Sequence, residues 1–258
     1  MPRPNSRKNR RYGWIPDLPD QRDHLYAAPP AVLTKLPDRV DLRPVCPPVY
    51  DQGELGSCTA NAIAGAIQFD LKKERHKPLF TPSRLFIYYN ERVLEGTVDS
   101  DSGAMIRDGI KSVARQGDCP EPDWPYDIAR FTVKPPPRCY TEAIQHRAVQ
   151  YQRLTPVLNQ LKGCLVSGYP FVFGFTVYES FESPGVARTG VVPMPASDEQ
   201  VIGGHAVLAV GYNENQQRFI VRNSWGTKWG LKGYFTMPYG YVTNPTLADD
   251  LWTIRVVS

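Results

Sequence analysis

The chain has 258 residues, of which 41% are hydrophobic and 11% aromatic, so it is long enough to bury one large core or two moderate ones. Its formal charge of +4 lies at the start, because five of its 30 Lys and Arg residues, and no acid, occupy the first eleven positions. The remaining 25 basic and 26 acidic residues argue against nucleic acid as the main partner, and no stretch approaches the roughly 18 apolar residues of a membrane helix.

Residues 1–37 are predicted to form a leader that precedes the folded domain, because they are rich in Pro, Arg and Asp and lack periodicity. Acids and prolines, instead of an apolar core, follow the basic start, so no signal peptide is expected. We therefore expect a protein that is cytoplasmic or exported by a signal-independent route. The leader is either flexible or an extended strap on a surface. Its apolar anchors would be Trp14, Ile15, Leu18 and Tyr26.

Three helices are predicted in the first half of the chain. Small apolar residues predict a buried helix over residues 58–72, entered from a glycine-containing turn at 53–56. Residues 82–95 carry a proline in their first turn, and residues 105–115 are followed by Gly117 as a stop.

The second half changes to strands. Residues 119–140 are proline-rich and irregular, and a helix is predicted at about 155–166. Apolar runs predict strands at 171–177, 205–212, 218–222, 234–237 and 251–257. Helices followed by strands indicate an α+β protein with two unlike lobes.

Cys58 lies where the glycine-containing turn becomes a helix. Free N–H groups and the positive end of the helix dipole favour thiolate, so we expect its pKa to fall well below the value of about 8.5 of a free cysteine. The Cys58 N–H and the side-chain amide of Gln52, six residues earlier, can both reach a carbonyl oxygen under attack, which would form an oxyanion hole. A lone buried cysteine is more often a core residue, so Cys58 needs partners.

A nucleophilic thiolate requires a histidine within reach. His24, His76 and His146 lie in the leader, a basic helix end and a polar stretch, whereas His205 follows two glycines at the start of an apolar strand. The glycines leave room for a substrate backbone. Asn223, at the end of the next strand, can accept the ring N–H and keep the imidazole oriented. Together these residues favour a catalytic site over core packing.

Three segments, 52–58, 203–206 and 223–234, resemble the papain family of cysteine peptidases. The resemblance runs in order over about residues 37–258, and His205 follows Cys58 at a distance typical of the family. It implies a papain-like two-lobed fold with a helical left lobe, an antiparallel β-barrel-like right lobe and the active-site cleft between them.

The same resemblance implies a peptidase domain over residues 38–258. Its helical lobe would span about 50–140, and its β-rich lobe about 141–258 together with 38–49.

By position, Cys58 would be the nucleophile, His205 its acid/base partner, Asn223 the residue that holds the histidine and Gln52 the oxyanion donor. Four further residues would bind substrate or shield the site. They are Ser102 and Gly103, which would offer backbone to an extended substrate, Gly204 beside the histidine, and Trp225, whose ring would cover the His–Asn hydrogen bond.

The chain departs from the family at a few positions. Leu55 stands where the family usually has a disulfide cysteine, and Thr59 replaces the usual aromatic after the nucleophile. With a leader of about 37 residues, these changes resemble a bacterial short-leader, xylellain-like branch. Cys119 and Cys139 flank a proline-rich loop, and they either form a disulfide or stay as free thiols. The cysteines lack ligand spacing, so no metal or organic cofactor is expected.

The resemblance implies a cysteine endopeptidase, because no paired-histidine loop of a carboxydipeptidase is visible. Its partners would be protein or peptide substrates, with no specific nucleic acid or membrane, and we expect a monomer. The leader either docks across the cleft and inhibits the enzyme or is merely flexible. Two other functions stay open: a non-catalytic peptide-binding module on the same fold, and acyl or amide transfer by the same cysteine.

Overall fold

The computed structural model describes residues 12–75, 79–147 and 150–255. The basic residues at 1–11, His76 and the end of the predicted strand 251–257 lie outside these described residues. Within the described ranges, no helix combines the length and the apolar composition that crossing a membrane would need.

Eight α-helices and nine β-strands are present in the described residues. The helices are α1 (Pro30–Leu33), α2 (Cys58–Lys73), α3 (Arg84–Glu95), α4 (Ile106–Gln116), α5 (Pro137–Ala143), α6 (Leu158–Val166), α7 (Pro184–Thr189) and α8 (Tyr239–Val242). The strands are β1 (Trp14–Ile15), β2 (Arg39–Asp41), β3 (Ala104–Met105), β4 (Gln150–Arg153), β5 (Phe171–Tyr178), β6 (Val201–Asn213), β7 (Arg218–Arg222), β8 (Tyr234–Pro238) and β9 (Ala248–Arg255). Short 3₁₀ turns lie at Ile128–Arg130 and Glu179–Glu182.

The first lobe is built on α2, α3 and α4, as the sequence predicts. The residues of α2 from Cys58 to Leu71 are all buried, because small side chains let neighbouring elements pack closely around it. The predicted second helix begins two residues late, since the Ser83 side chain caps it by accepting from Phe86 N at 3.1 Å. It ends at Gly96, whose φ of +70° is left-handed, and α4 ends at Gly117.

The second lobe is a seven-stranded sheet in the order β4-β9-β5-β6-β7-β8, with β2 paired to β6. All of its strand pairs are antiparallel. Strand β6 is longer than predicted, because residues 201–204 continue the pairing with β5. The predicted α+β fold with two unlike lobes is confirmed.

Two hydrophobic clusters lie on the two faces of this sheet. In β6, Ala206, Leu208 and Val210 belong to the cluster that contains α2, whereas Val207 and Ala209 belong to the cluster under the other face. This alternation is what a strand with period two requires. Strand β6 therefore holds one face against the helix that begins at Cys58.

The N-terminal strand β1 joins the two lobes. It pairs in parallel with β3 of the helical lobe, Trp14 opposite Ala104, and it also contacts β5 and β6 of the sheet. Trp14 packs against the core and Tyr26 is buried, as expected of anchors. The expectation for Leu18 is wrong: its side chain is 69% exposed, and its carbonyl accepts from Arg107 instead.

Candidate active site

The turn before α2 is held by the partly buried carboxylate of Asp101. The Gly56 N–H donates to Asp101 Oδ1 at 3.0 Å, and the Tyr88 hydroxyl donates to the same carboxylate. Gly53 adopts a φ of +61°, which an L side chain disfavours. The turn therefore delivers Cys58 to the first position of α2, where the helix dipole is positive.

His205 and Asn223 meet as the sequence predicts. His205 lies in β6 and Asn223 directly follows the adjacent β7, so that His205 Nε2 and Asn223 Oδ1 are 2.9 Å apart. The Trp225 ring stacks on the imidazole, with centroids 4.9 Å apart and planes at 28°. His205 has no exposed surface, so this hydrogen bond is shielded from water.

The sulfur of Cys58 lies beside the histidine strand but is completely covered. Backbone N–H groups of Ala206, Gly13 and Thr59 point to it, and the side chain has no exposed surface. Burial raises the pKa of Cys58 to about 12, despite those N–H groups. The predicted low pKa is thus wrong for this state of the molecule, because the sulfur is fully buried and the N–H groups that point to it, that of Gly13 included, do not offset the loss of water.

Gln52 connects the two lobes. Its Oε1 accepts from the Ser224 hydroxyl at 2.6 Å, and its Nε2 donates to Leu55 O at 2.9 Å. The amide is fully buried next to the turn before Cys58. Its predicted part in an oxyanion hole stays a prediction.

Among the predicted substrate-binding residues, Gly103, Gly204 and Trp225 contact the N-terminal segment, the described part of the leader at residues 12–37. Ala104 N donates to Gly13 O at 2.8 Å, and a Cβ added to Gly103 would lie only 2.2 Å from that oxygen. A Cβ on Gly204 would lie 2.5 Å from Trp14 O. The Ser102 hydroxyl donates to Gly103 O at 3.0 Å. The surface on which we expect an extended substrate backbone to bind is therefore covered by the backbone of the segment.

A recess that sequence reasoning missed takes the Trp14 indole. Its walls include Gly174 and Gly204; a Cβ on Gly174 would lie 2.0 Å from Trp14 Cε2. At its end, the buried Asp250 Oδ2 accepts from Trp14 Nε1 at 3.0 Å. The isolated glycine inside the strand 171–178 was the available signal, since such a glycine often marks a close approach.

The remaining cysteines show no sign of a metal site. All five cysteines are free and buried, and Cys119 and Cys139 lie close enough for a hydrogen bond between their sulfurs. Among the described residues, no group of three or more His, Cys, Asp or Glu could hold a metal ion.

Comparison with known proteins agrees with this geometry. The sequence model described as "Papain family cysteine protease" matches residues 36–251. A peptidase C1-like protein of Acanthamoeba polyphaga mimivirus is 48% identical over 97% of this chain and 88% of its own length. Mouse cathepsin K is 30% identical over 78% of this chain and 59% of its own length.

Solved structures show the same likeness. Xylellain, a cysteine protease from Xylella fastidiosa, is 46% identical with a TM-score of 0.91, covering 98% of this chain and 99% of that chain. A procathepsin L 3 of Tenebrio molitor, 20% identical with a TM-score of 0.72 over 96% of this chain and 76% of its own, shares the fold. With the family match spanning most of its length, the chain belongs to the papain family of cysteine proteases, which hydrolyse peptide bonds.

Proposed function

We propose that this protein is a cysteine endopeptidase that acts through Cys58, His205 and Asn223 and is inhibited by its own N-terminal segment. The observation that carries the catalytic part is the hydrogen bond of 2.9 Å between His205 Nε2 and Asn223 Oδ1, on a strand packed against the helix that Cys58 begins. Because Nε2 lies against the amide oxygen, Nδ1 is the ring nitrogen that would exchange the proton with the sulfur.

The proposed reaction has two halves. His205 takes the thiol proton of Cys58, and the sulfur attacks the scissile carbonyl. The Cys58 N–H and the Gln52 amide stabilise the resulting oxyanion, and His205 protonates the departing amine. Water then gives a proton to His205 and attacks the acyl-enzyme, which releases the acid and the thiol. Through both halves, Asn223 keeps the imidazole oriented and the Trp225 ring shields the His–Asn hydrogen bond from water.

Peptide hydrolysis by the purified protein tests the catalytic part. Cys58→Ala should abolish cleavage of internally quenched peptides, whereas Cys46→Ala, at another buried thiol of the helical lobe, should retain it. Binding without turnover would instead identify a peptide-binding module. If an added amine gave an amide product in place of the acid, the transferase alternative would be correct.

The inhibitory part is supported by the contacts of residues 12–14. The Gly13 backbone lies over the Cys58 sulfur, the Trp14 indole fills the glycine-walled recess, and the Tyr12 ring meets His205 edge-on with centroids 5.9 Å apart. The segment therefore touches the proposed nucleophile and its acid/base partner at once. A tethered ligand of this kind has a high effective concentration, so modest contacts suffice.

The segment also acts on the chemistry of the thiol. By excluding water it helps to raise the pKa of Cys58, which keeps the sulfur protonated and a poor nucleophile. Displacement of the segment would readmit water and restore the effect of the helix dipole on the thiolate. Inhibition is thus both steric and electrostatic.

Gly13→Ala tests inhibition in the full-length chain. A Cβ at this position would lie 1.7 Å from Gly56 O, so the segment can no longer dock, while Tyr26 and the other anchors stay. We expect the rate of peptide cleavage to rise by at least about tenfold. Gly240→Ala is the matched control, because its Cβ meets nothing within 4 Å. Unchanged rates in folded Gly13→Ala protein would reject inhibition while leaving the catalytic proposal intact.

A further inference from the structure

A buried acid lies directly behind the start of α2. Glu91 of α3 has no exposed surface, and its Oε1 accepts from the Thr59 hydroxyl at 2.6 Å. Its Oε2 faces Gly109 of α4, where an added Cβ would lie 2.5 Å from it. Among the described residues, Oε2 has no hydrogen-bond partner. The carboxyl is therefore enclosed between three helices with a single hydroxyl as donor.

The nearest basic side chain in the sequence does not neutralise this acid. The Arg92 guanidinium is used by carbonyl oxygens elsewhere, those of Tyr88, Val98, Ser100 and Phe131. The other charges that act on Glu91 are the acids Glu95 and Asp108. Burial, with some help from these acids, raises the pKa of Glu91 well above its ordinary value, against the opposing effects of Thr59 and Arg92. Burial thus favours the protonated, neutral form of Glu91.

Thr59 links this acid to the proposed nucleophile. It follows Cys58 in the first turn of α2, its N–H points to the sulfur, and its hydroxyl points back to Glu91. A negative charge on Glu91 would oppose the helix dipole. Burial is the main cause that raises the pKa of Cys58, and the charge of Glu91 raises it further. The protonation state of one group therefore bears on that of the other.

We propose that Glu91 is a positioning residue for Cys58: the neutral acid holds Thr59 and the first turn of α2, and its deprotonation makes thiolate formation harder. The proton that Glu91 loses goes to solvent, and no other group is consumed. The inference rests on the proposed use of Cys58 as nucleophile. It also gives a use to Thr59, whose hydroxyl anchors the first turn of α2 to the acid.

The test is the pH dependence of Cys58 alkylation by iodoacetamide in the full-length Gly13→Ala chain, in which the segment is expected to leave the sulfur, followed by mass spectrometry of the Cys58 peptide between about pH 5 and pH 10. In Glu91→Gln, the amide keeps an acceptor for Thr59 but cannot ionise. The midpoint of alkylation should move down by roughly 0.5–1 pH unit, which is about a three- to tenfold faster rate below the midpoint. Both proteins carry Gly13→Ala, so the difference between their midpoints reports the change at Glu91.

Two further variants separate this role from a merely structural one. Thr59→Val removes the hydroxyl that stabilises ionised Glu91, so the acid keeps its proton to higher pH and the midpoint should also move down. Asp118→Asn changes another fully buried acid of the same lobe and should leave the midpoint unchanged. A wild-type midpoint in both Glu91→Gln and Thr59→Val, or an equal shift in Asp118→Asn, would overturn the proposal.

The readout also separates this proposal from the proposed function. Alkylation reports thiolate formation and does not need peptide cleavage. If the midpoint shifts while no variant or wild-type protein cleaves peptides, the peptidase proposal fails and the role of Glu91 stands. If cleavage depends on Cys58 while the midpoint of alkylation is the same in all variants, the peptidase proposal stands and the role of Glu91 fails.

Discussion

The imidazole of His205 is held by neighbouring side chains of the protein. Asn223 Oδ1 accepts from its neighbour Ser224 N at 2.8 Å as well as lying 2.9 Å from His205 Nε2. The Trp225 ring covers the imidazole, and Trp229 packs edge-on against Trp225 with centroids 5.1 Å apart. Because the Asn223 oxygen and the Trp225 ring already hold the imidazole, the histidine has its working orientation before substrate arrives.

Removal of the Asn223 amide should therefore impair turnover more than binding. Asn223→Ala is expected to lower kcat by roughly a hundredfold or more with little change in KM, because the imidazole loses the group that fixes its orientation. Steady-state kinetics in the Gly13→Ala background measures this. Asn213→Ala, at the last residue of β6, should behave like the parent. Wild-type kcat in Asn223→Ala would contradict the role.

Arg84 is a structural cation that lysine should not replace. Its guanidinium lies 4.0 Å from the Tyr126 ring centroid and 4.8 Å from that of Tyr50, and its Nε donates to Glu121 Oε2 at 2.9 Å. Lysine cannot stack flat between rings or form this paired hydrogen bond.

Arg84→Lys should lower the free energy of unfolding by about 1–3 kcal/mol. Chemical denaturation measures the difference. Arg22→Lys, at an ion pair whose arginine side chain is 86% exposed, should change it little. Equal effects of the two substitutions would show that the stacking does not matter.

At the scale of elements, side-chain contacts outside β1 also hold the N-terminal segment on the protein. Asp23 pairs with Arg107 of α4 at 2.6 Å and with Arg153 of β4 at 3.4 Å. Asp17 Oδ2 accepts from the Trp252 indole at 2.9 Å and its N–H donates to Asp250 Oδ2 at 2.8 Å. The segment is thus held on both lobes beyond the cleft.

Asp23→Asn should test this anchoring, because the Arg107 and Asp23 side chains are only 6% and 9% exposed. Loss of one partner leaves buried arginine charge, and we expect the free energy of unfolding to fall by about 3 kcal/mol. Equilibrium denaturation in urea provides the measurement. Asp20→Asn, at the exposed pair with Arg22, serves as the surface comparison. A change no larger than that of Asp20→Asn would mean that the anchor is weak.

At the scale of the whole molecule, buried acids set how stability depends on pH. Burial raises the pKa of Glu95 to about 7, and that of Asp118 well above its ordinary value. In the unfolded chain such carboxyls titrate near pH 4, so between that value and the folded pKa the folded state holds more protons. The free energy of unfolding therefore falls as pH rises through this window.

Asp41 acts in the opposite direction. Hydrogen bonds from Arg43 lower its pKa to about 2, so its stabilising contribution is present above about pH 4 and is lost as pH falls towards 2. Together, these groups predict that the free energy of unfolding is largest at about pH 4–5.

Glu95→Gln should flatten the decline between pH 4.5 and about 7, because the amide has no proton to lose. Urea denaturation at a series of pH values measures the slope for both proteins. Glu142→Gln, on the more exposed α5, is the control. A Glu95→Gln slope as steep as that of the parent would assign the pH dependence to other groups.

Local patterns in the sequence determined the helices, most strands and the identity of the residues that meet at the site. The small residues after Cys58 predict α2, and the apolar run from His205 predicts β6, although the strand begins earlier, at Val201. Both depend on periodicity and backbone freedom, which are properties of neighbouring residues. The pairing of His205 with Asn223 follows because consecutive antiparallel strands bring their ends together.

The tertiary structure alone decided the state of the nucleophile. The helix start by itself predicts a low pKa for Cys58, yet burial among segments far away in sequence, Gly13 among them, raises it, even though the Gly13 N–H itself points to the sulfur. The contact between Thr59 and Glu91 likewise joins two helices without any local pattern. Desolvation depends on which distant segments exclude water from a group, so burial and the pKa it sets follow from packing across the whole chain.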